Sequence, residues 1–150
     1  MLKLSGIAEL RELVGREIGT SAWHEVTQAR IDAFASATDD HEDIHVDPKR
    51  GRQAGFDGTI AHGLYTLSLG PKFLYELYSL SGHSLGLNYG FEKVRFISPV
   101  PVGSRLRMRA TLKAADAIEG GTRFTVTQTF ETEGGERPAC VADAVIAYFD

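Results

Sequence analysis

The chain carries a single cysteine, Cys140, in 150 residues. It cannot close an internal disulfide, and nothing in the composition points to an oxidising compartment. Long apolar runs are also missing. No stretch reaches the roughly 18 consecutive apolar residues of a membrane-spanning helix. The N-terminal MLKLSGIAELRELVGREIG mixes charge into its apolar positions and so lacks the h-region of a secretory signal. No basic run exceeds two residues, and 16 Lys and Arg against 20 Asp and Glu leave a net charge of −4. A dedicated nucleic-acid binder carries a concentrated cationic face. These absences predict a cytoplasmic protein with neither a membrane nor a nucleic acid as partner.

What the chain does have is material for a core. Leu, Ile, Val and Phe total 39 of the 150 residues, above the roughly one-fifth that marks disordered chains. The length predicts one domain over 1–150, which buries roughly 68–70% of its unfolded surface.

Periodicity gives the elements. Ile7, Leu10, Val14 and Ile18 recur at spacings of three and four, which predicts an amphipathic helix over residues 1–20 that Gly19 ends. Ser21 to Val26 reads as a short strand. Thr27 can cap a second helix with Ile31, Phe34 and Ala37 on its apolar face. Periodicity then stops from Thr38 to Gly58, a long polar loop in which Asp47-Pro48 can open one helical turn. Ile60 to Leu80 reads as a long helix, apolar on most sides and therefore buried, kinked at Pro71 and ended by Ser81-Gly82. The remainder reads as strands: Tyr89 to Ile97, then 105–113 with apolar residues at even positions, then 122–132, then Ala139 to Phe149. Gly120-Gly121 and Gly134-Gly135 mark turns. The pattern predicts an α+β architecture, with an antiparallel meander of four strands curled around the long helix.

The polar loop holds the chemistry. Eight of the ten residues from Thr38 to Asp47 are polar. A solvated acidic loop is the plain reading. His41-Glu42-Asp43-Ile44-His45 also matches the H-E-x-x-H zinc pattern, which needs both histidines on one helix face. The segment is a poor helix former, Pro48 breaks it just beyond, and no metal is expected. A third reading is acid–base work, in which Asp40 and His45 share one water, the carboxylate taking or steering a proton and the imidazole exchanging the second.

Ala37-Thr38-Asp39-Asp40-His41-Glu42-Asp43-Ile44-His45-Val46-Asp47 resembles the signature of the MaoC-like (R)-specific enoyl-CoA hydratases, A-T-G-D-x-N-P-I-H-x-D. Asp40 and His45 match its catalytic pair, whereas Asp39, Glu42 and Asp43 stand where the signature has Gly, Asn and Pro. Of these departures, the second carboxylate at Asp39 is the one that stands beside a residue of the pair. Gly58 to Gly63 resembles the family's second landmark, where the central helix begins. Gly86-Leu87-Asn88-Tyr89-Gly90, Lys93 to Phe96 and Pro99 to Gly103 resemble its nodulation-protein-N-like branch. The resemblance implies a hot-dog fold, an antiparallel sheet wrapped around a long central helix, and a homodimer whose sheets join edge to edge. It implies reversible hydration of trans-2-enoyl-CoA to (3R)-3-hydroxyacyl-CoA, within fatty acid metabolism. Ile60, Ala61, His62, Gly63 and Asn88 are then expected at the substrate, with the Gly63 amide polarising the thioester carbonyl. No cofactor is expected beyond the coenzyme A of the substrate. A hot-dog thioester hydrolase and a non-catalytic acyl-thioester binding module are the alternatives. The basic row Arg105, Arg107 and Arg109 reads as a solvated face or as a contact for coenzyme A phosphates.

Overall fold

A computed structural model describes residues 1–150. The order of elements is β1 (Leu2–Leu4), α1 (Ile7–Arg11), β2 (Glu17–Thr20), β3 (His24–Glu25), α2 (Gln28–Thr38), α3 (Asp43–Val46), α4 (Pro48–Gln53), α5 (Gly63–Ser68), α6 (Gly70–Leu77), β4 (Tyr78–Leu80), β5 (Leu85–Phe96), β6 (Arg105–Ile118), β7 (Gly121–Thr132) and β8 (Cys140–Phe149). The main sheet runs β2-β6-β7-β8-β5, with β3 also pairing β6. It wraps α5 and α6 in a hot-dog fold.

The alternation in β6 does what its period requires. Leu106, Met108, Ala110 and Leu112 are fully buried, while Arg105 and Arg109 on the opposite face stay exposed. Each leucine-sized side chain so buried contributes roughly 1.5–3 kcal/mol. Phe124, Val126 and Phe130 of β7 join the same core, and Phe73 of α6 meets Phe130 with ring centroids 6.2 Å apart. Cys140 lies in this core too, and burial pushes its thiol up to about 11. It is a packing residue.

The basic row is neutralised within the fold. Arg105 pairs with Glu133, and Arg107 and Arg109 both pair with Glu131. The Arg107 guanidinium also lies 4.5 Å from the Trp23 ring centroid. These cations already have partners, which fits the solvated-face reading.

Four expectations change. The first helix stops at Arg11, because Val14 is exposed and Ile18 belongs to β2, paired to β6 across a bulge. Residues 1–20 are therefore not a helical extension: β2 belongs to the main sheet, and β1 runs parallel to β4. On α2, Thr27 does cap the helix, accepting from the Arg30 N–H at 3.3 Å, but the buried residues are Ile31 and Ala35 while Ala37 is exposed. The central helix breaks at Leu69, with Pro71 in the first turn of α6. Proline cannot donate to the carbonyl four residues back, so the interruption falls upstream of it. The helix also ends at Leu77, three residues early, because Tyr78–Leu80 pairs with β1. Finally, β6, β7 and β8 form a meander, but β5 pairs β8 instead of β6. The proline-containing segment 97–104 carries the chain from one side of the sheet to the other, touching Ile60 through a bridge at Pro101.

Candidate active site

The site begins where α2 ends. Asp39 takes a left-handed conformation, φ 58°, as the C-cap of that helix. Glycine adopts this conformation without cost, and Asp is among the few other residues that tolerate it. Asp39 is therefore accounted for as a turn residue on the surface. The turn delivers Asp40, whose Oδ1 accepts from the Glu42 N–H at 3.5 Å and whose carbonyl oxygen accepts from His62 Nε2 at 2.9 Å.

His45 lies on α3 and is 9% exposed. Its Nδ1 donates to the Ile60 carbonyl oxygen at 2.8 Å. A carbonyl only accepts, so Nδ1 carries the proton and Nε2 is left for chemistry. The backbone around it is tied down. The Ile60 N–H donates to the Ile44 carbonyl at 3.1 Å. The Gln28 amide donates to the His45 carbonyl at 2.9 Å and accepts from the Thr59 hydroxyl at 2.5 Å. Asp47 caps α4, accepting from the Lys49 N–H at 2.8 Å. Gly51 of α4 then packs directly on the Gly58 carbonyl.

Asp40, His45 and His62 offer side-chain oxygen and nitrogen atoms that all lie within 4.8 Å of one another. The His45 and His62 rings stack, with centroids 3.9 Å apart and planes at 27°. Ring-nitrogen lone pairs lie in the ring plane, so stacked rings direct them alongside each other and not onto one ion at the roughly 2.0–2.1 Å that zinc requires. The H-E-x-x-H reading fails on the backbone as well, since α3 starts at Asp43 and leaves His41 outside it, exposed. Two faced imidazoles and a carboxylate suit proton transfer better than metal binding.

A cavity of about 270 Å³ adjoins His45. Its walls include His45, Ile60, Ala61, Gly63, Thr66 and Phe96. Of the residues singled out from sequence, Ile60, Ala61 and Gly63 therefore meet His45 in one cavity, and His62 stacks on it. Asn88 does not join them. It lines a separate cavity of about 420 Å³ with Leu74, Tyr78, Leu87, Ile146 and Tyr148, beside the C-terminal end of α6. Sequence reasoning missed Gln28, Thr59, Thr66 and Phe96. Thr66 alone carried a signal, as a polar residue four positions after His62 within an apolar helical run.

The chain matches the MaoC like domain family over residues 9–134. It is 43% identical over 149 residues to 3-hydroxyacyl-thioester dehydratase Z of Mycobacterium tuberculosis, covering 99% of each chain. It is 41% identical to Nodulation protein N of Rhizobium leguminosarum bv. viciae, covering 96% of this chain and 92% of that one. Among solved structures, the monoamine oxidase regulatory protein of Archaeoglobus fulgidus superposes with a TM-score of 0.83 at 20% identity, covering 100% of this chain and 99% of that one, a likeness of fold. The chain belongs to the MaoC-like dehydratase family. Within that family its sequence is similar both to the mycobacterial dehydratase Z and to the nodulation proteins N.

Proposed function

We propose that the protein interconverts (3R)-3-hydroxyacyl thioesters and trans-2-enoyl thioesters by removing or adding water, with Asp40 and His45 as the catalytic pair. One observation carries the reading: the Asp40 and His45 side chains approach within 4.8 Å, and His45, its ring fixed by a backbone carbonyl, lines a cavity. The 43% identity to a 3-hydroxyacyl-thioester dehydratase supports the same chemistry. In hydration the water oxygen bonds to C3 as one member of the pair accepts its proton. The other member delivers a proton to C2 as the enolate collapses to the thioester. His62 holds the Asp40 backbone and packs on His45. The Gly63 amide faces the developing enolate oxygen, and the thioester itself acidifies C2, so the reaction requires no cofactor.

Coenzyme A is the carrier in this reading. Hydrolase chemistry is disfavoured by Glu76, the acid of the central helix, because it accepts from the Ala22 N–H at 3.0 Å and pairs with Lys72.

The protein works as a homodimer in this account. On its outer edge β5 has no partner strand, and it exposes Leu85, Leu87, Tyr89, Phe91 and Phe96. An apolar, unpaired edge invites pairing with a second copy. Sedimentation is expected to give twice the chain mass, and Phe91→Lys to shift the species towards monomer. A wild-type monomer at micromolar concentration would remove this part of the account.

Gly63→Ala tests the carbonyl site. An added Cβ meets Phe96 Cδ1 at 2.9 Å, but that side chain is 52% exposed and can turn aside. Helix propensity favours Ala by about 1 kcal/mol. The expected result is near-unchanged stability with kcat/KM reduced at least about tenfold. A destabilised variant with full activity assigns Gly63 to packing instead.

The reading as a whole is tested on a chain-length series of trans-2-enoyl-CoA substrates, following loss of the conjugated enoyl absorbance and the configuration of the product. A (3R) product supports it. No hydration at any chain length, or a (3S) product, rejects it.

A further inference from the structure

The cavity beside His45 has a polar group that the acid–base pair leaves unused. Thr66 lines it, is 2% exposed, and its hydroxyl has no hydrogen-bond partner. Such a hydroxyl in a helix has an easy local solution, donation to the carbonyl four residues back. Two other helical hydroxyls adopt it: Thr38 of α2 donates to the Phe34 carbonyl at 2.8 Å, and Ser68 of α5 to the Leu64 carbonyl at 2.6 Å. Thr66 forgoes it. The His62 carbonyl accepts only the Thr66 backbone N–H, at 3.3 Å.

A buried hydroxyl without a partner destabilises the folded chain, so its presence needs a reason. Helical side chains tilt towards the N-terminus of the helix. Thr66 therefore covers the turn that starts at Gly63, which has no side chain of its own to fill the space. One turn further along the same face, the Gln128 amide packs against Gly70, and its Oε1 is buried without a partner too. The cavity that His45 lines thus keeps an unmatched hydrogen-bonding group in its wall.

We propose that Thr66 is a third catalytic residue, whose hydroxyl donates a hydrogen bond to the carbonyl oxygen of the acyl thioester as that oxygen takes on enolate charge. The inference rests on the dehydratase reading above. In that reading Asp40 and His45 attend C2 and C3, the Gly63 amide meets the carbonyl oxygen, and the second lone pair of that oxygen is open to the Thr66 hydroxyl, three residues along the same helix. A donor of this kind contributes more in the transition state than in the bound ground state, so its loss lowers kcat more than it raises KM.

Thr66→Val keeps the side-chain shape and removes the hydroxyl. It is expected to leave Tm unchanged or raised, since a methyl replaces an unpartnered polar group, and to lower kcat about 10²-fold, as loss of one oxyanion donor does, with KM little changed. Thr66→Ser restores most of kcat. Should the valine variant fold poorly, the comparison of Thr66→Ala with Thr66→Ser carries the same test, with Ser active and Ala impaired. Wild-type kcat in Thr66→Val or Thr66→Ala overturns the inference and assigns the hydroxyl to packing or to a trapped water. Equal losses in Ser and Ala overturn it as well. In every case wild-type turnover of a (3R)-3-hydroxyacyl-CoA is measured alongside. If the wild type is active, failure belongs to Thr66 alone; if it is inactive on every chain length, the dehydratase reading fails and this inference falls with it.

Discussion

Asp40→Asn is expected to lower kcat by about 10²–10⁴-fold, the usual contribution of a general acid–base group, while leaving the fold intact. Asp40 is exposed, and its backbone carbonyl, not its carboxylate, receives the His62 ring. An amide can still accept from the Glu42 N–H, so little structure depends on the charge. His45 is different. It is buried and holds the Ile60 carbonyl at 2.8 Å. His45→Ala therefore removes both the chemistry and a buried hydrogen bond, and costs about 1–3 kcal/mol of stability besides activity. His45→Asn separates the two effects. Its amide N–H can replace Nδ1–H against Ile60, but nothing replaces Nε2. It should lose kcat as severely as the alanine variant while retaining more of the wild-type Tm. Steady-state rates beside thermal melts check this. Near-normal turnover in Asp40→Asn or His45→Asn removes that residue from the pair.

Gly51→Ala carries the largest expected structural effect. A Cβ there lies 2.1 Å from the Gly58 carbonyl oxygen and 3.2 Å from the Thr59 nitrogen. Gly51 sits within α4, so helix propensity alone favours Ala by about 1 kcal/mol. The clash decides the sign. Unlike the Phe96 ring beside Gly63, a backbone carbonyl has no rotamer into which to retreat, so the cost falls near the upper end of ordinary overpacking, about 3 kcal/mol. At roughly 2–4 °C per kcal/mol for a chain of this size, Tm drops by about 6–12 °C. Activity should fall as well. Displacing Gly58 and Thr59 pulls on the Gln28 contact and on the Ile60 carbonyl that fixes His45. An unchanged Tm would show that α4 does not clamp the site.

The strands were legible because their period is written in side chains that bury. Leu106, Met108, Ala110 and Leu112 alternate with arginines, and the structure buries that set. The N-terminal helix misled for the opposite reason. Ile7, Leu10, Val14 and Ile18 share a helical period, but Ile18 finds its burial on a strand against β6, and tertiary pairing overrides local periodicity. The order of β5 beyond β8 was hidden because local pattern does not record long-range pairing.

At the site, Asp40 and His45 could be marked from sequence because their spacing matched a known signature. The groups that hold them could not. Gln28 is 31 positions from Thr59 and 17 from His45, and it meets both only through the fold. Asn88 was expected at the substrate alongside Gly63, yet within one chain it lies in a different cavity from His45. Asp39, a second carboxylate next to Asp40 in the sequence, is the left-handed residue that turns the chain into the site.

The central claim is that Asp40 and His45 add water across the enoyl double bond and leave the thioester whole. Incubation of a trans-2-enoyl-CoA with the wild type in ¹⁸O-labelled water, followed by mass spectrometry of the products, tests it directly. The account predicts label in the 3-hydroxyl of an intact 3-hydroxyacyl-CoA, with incorporation at least about 10²-fold slower in Asp40→Asn. Label in a free carboxylate with release of the coenzyme A thiol, or wild-type incorporation in Asp40→Asn, would contradict it.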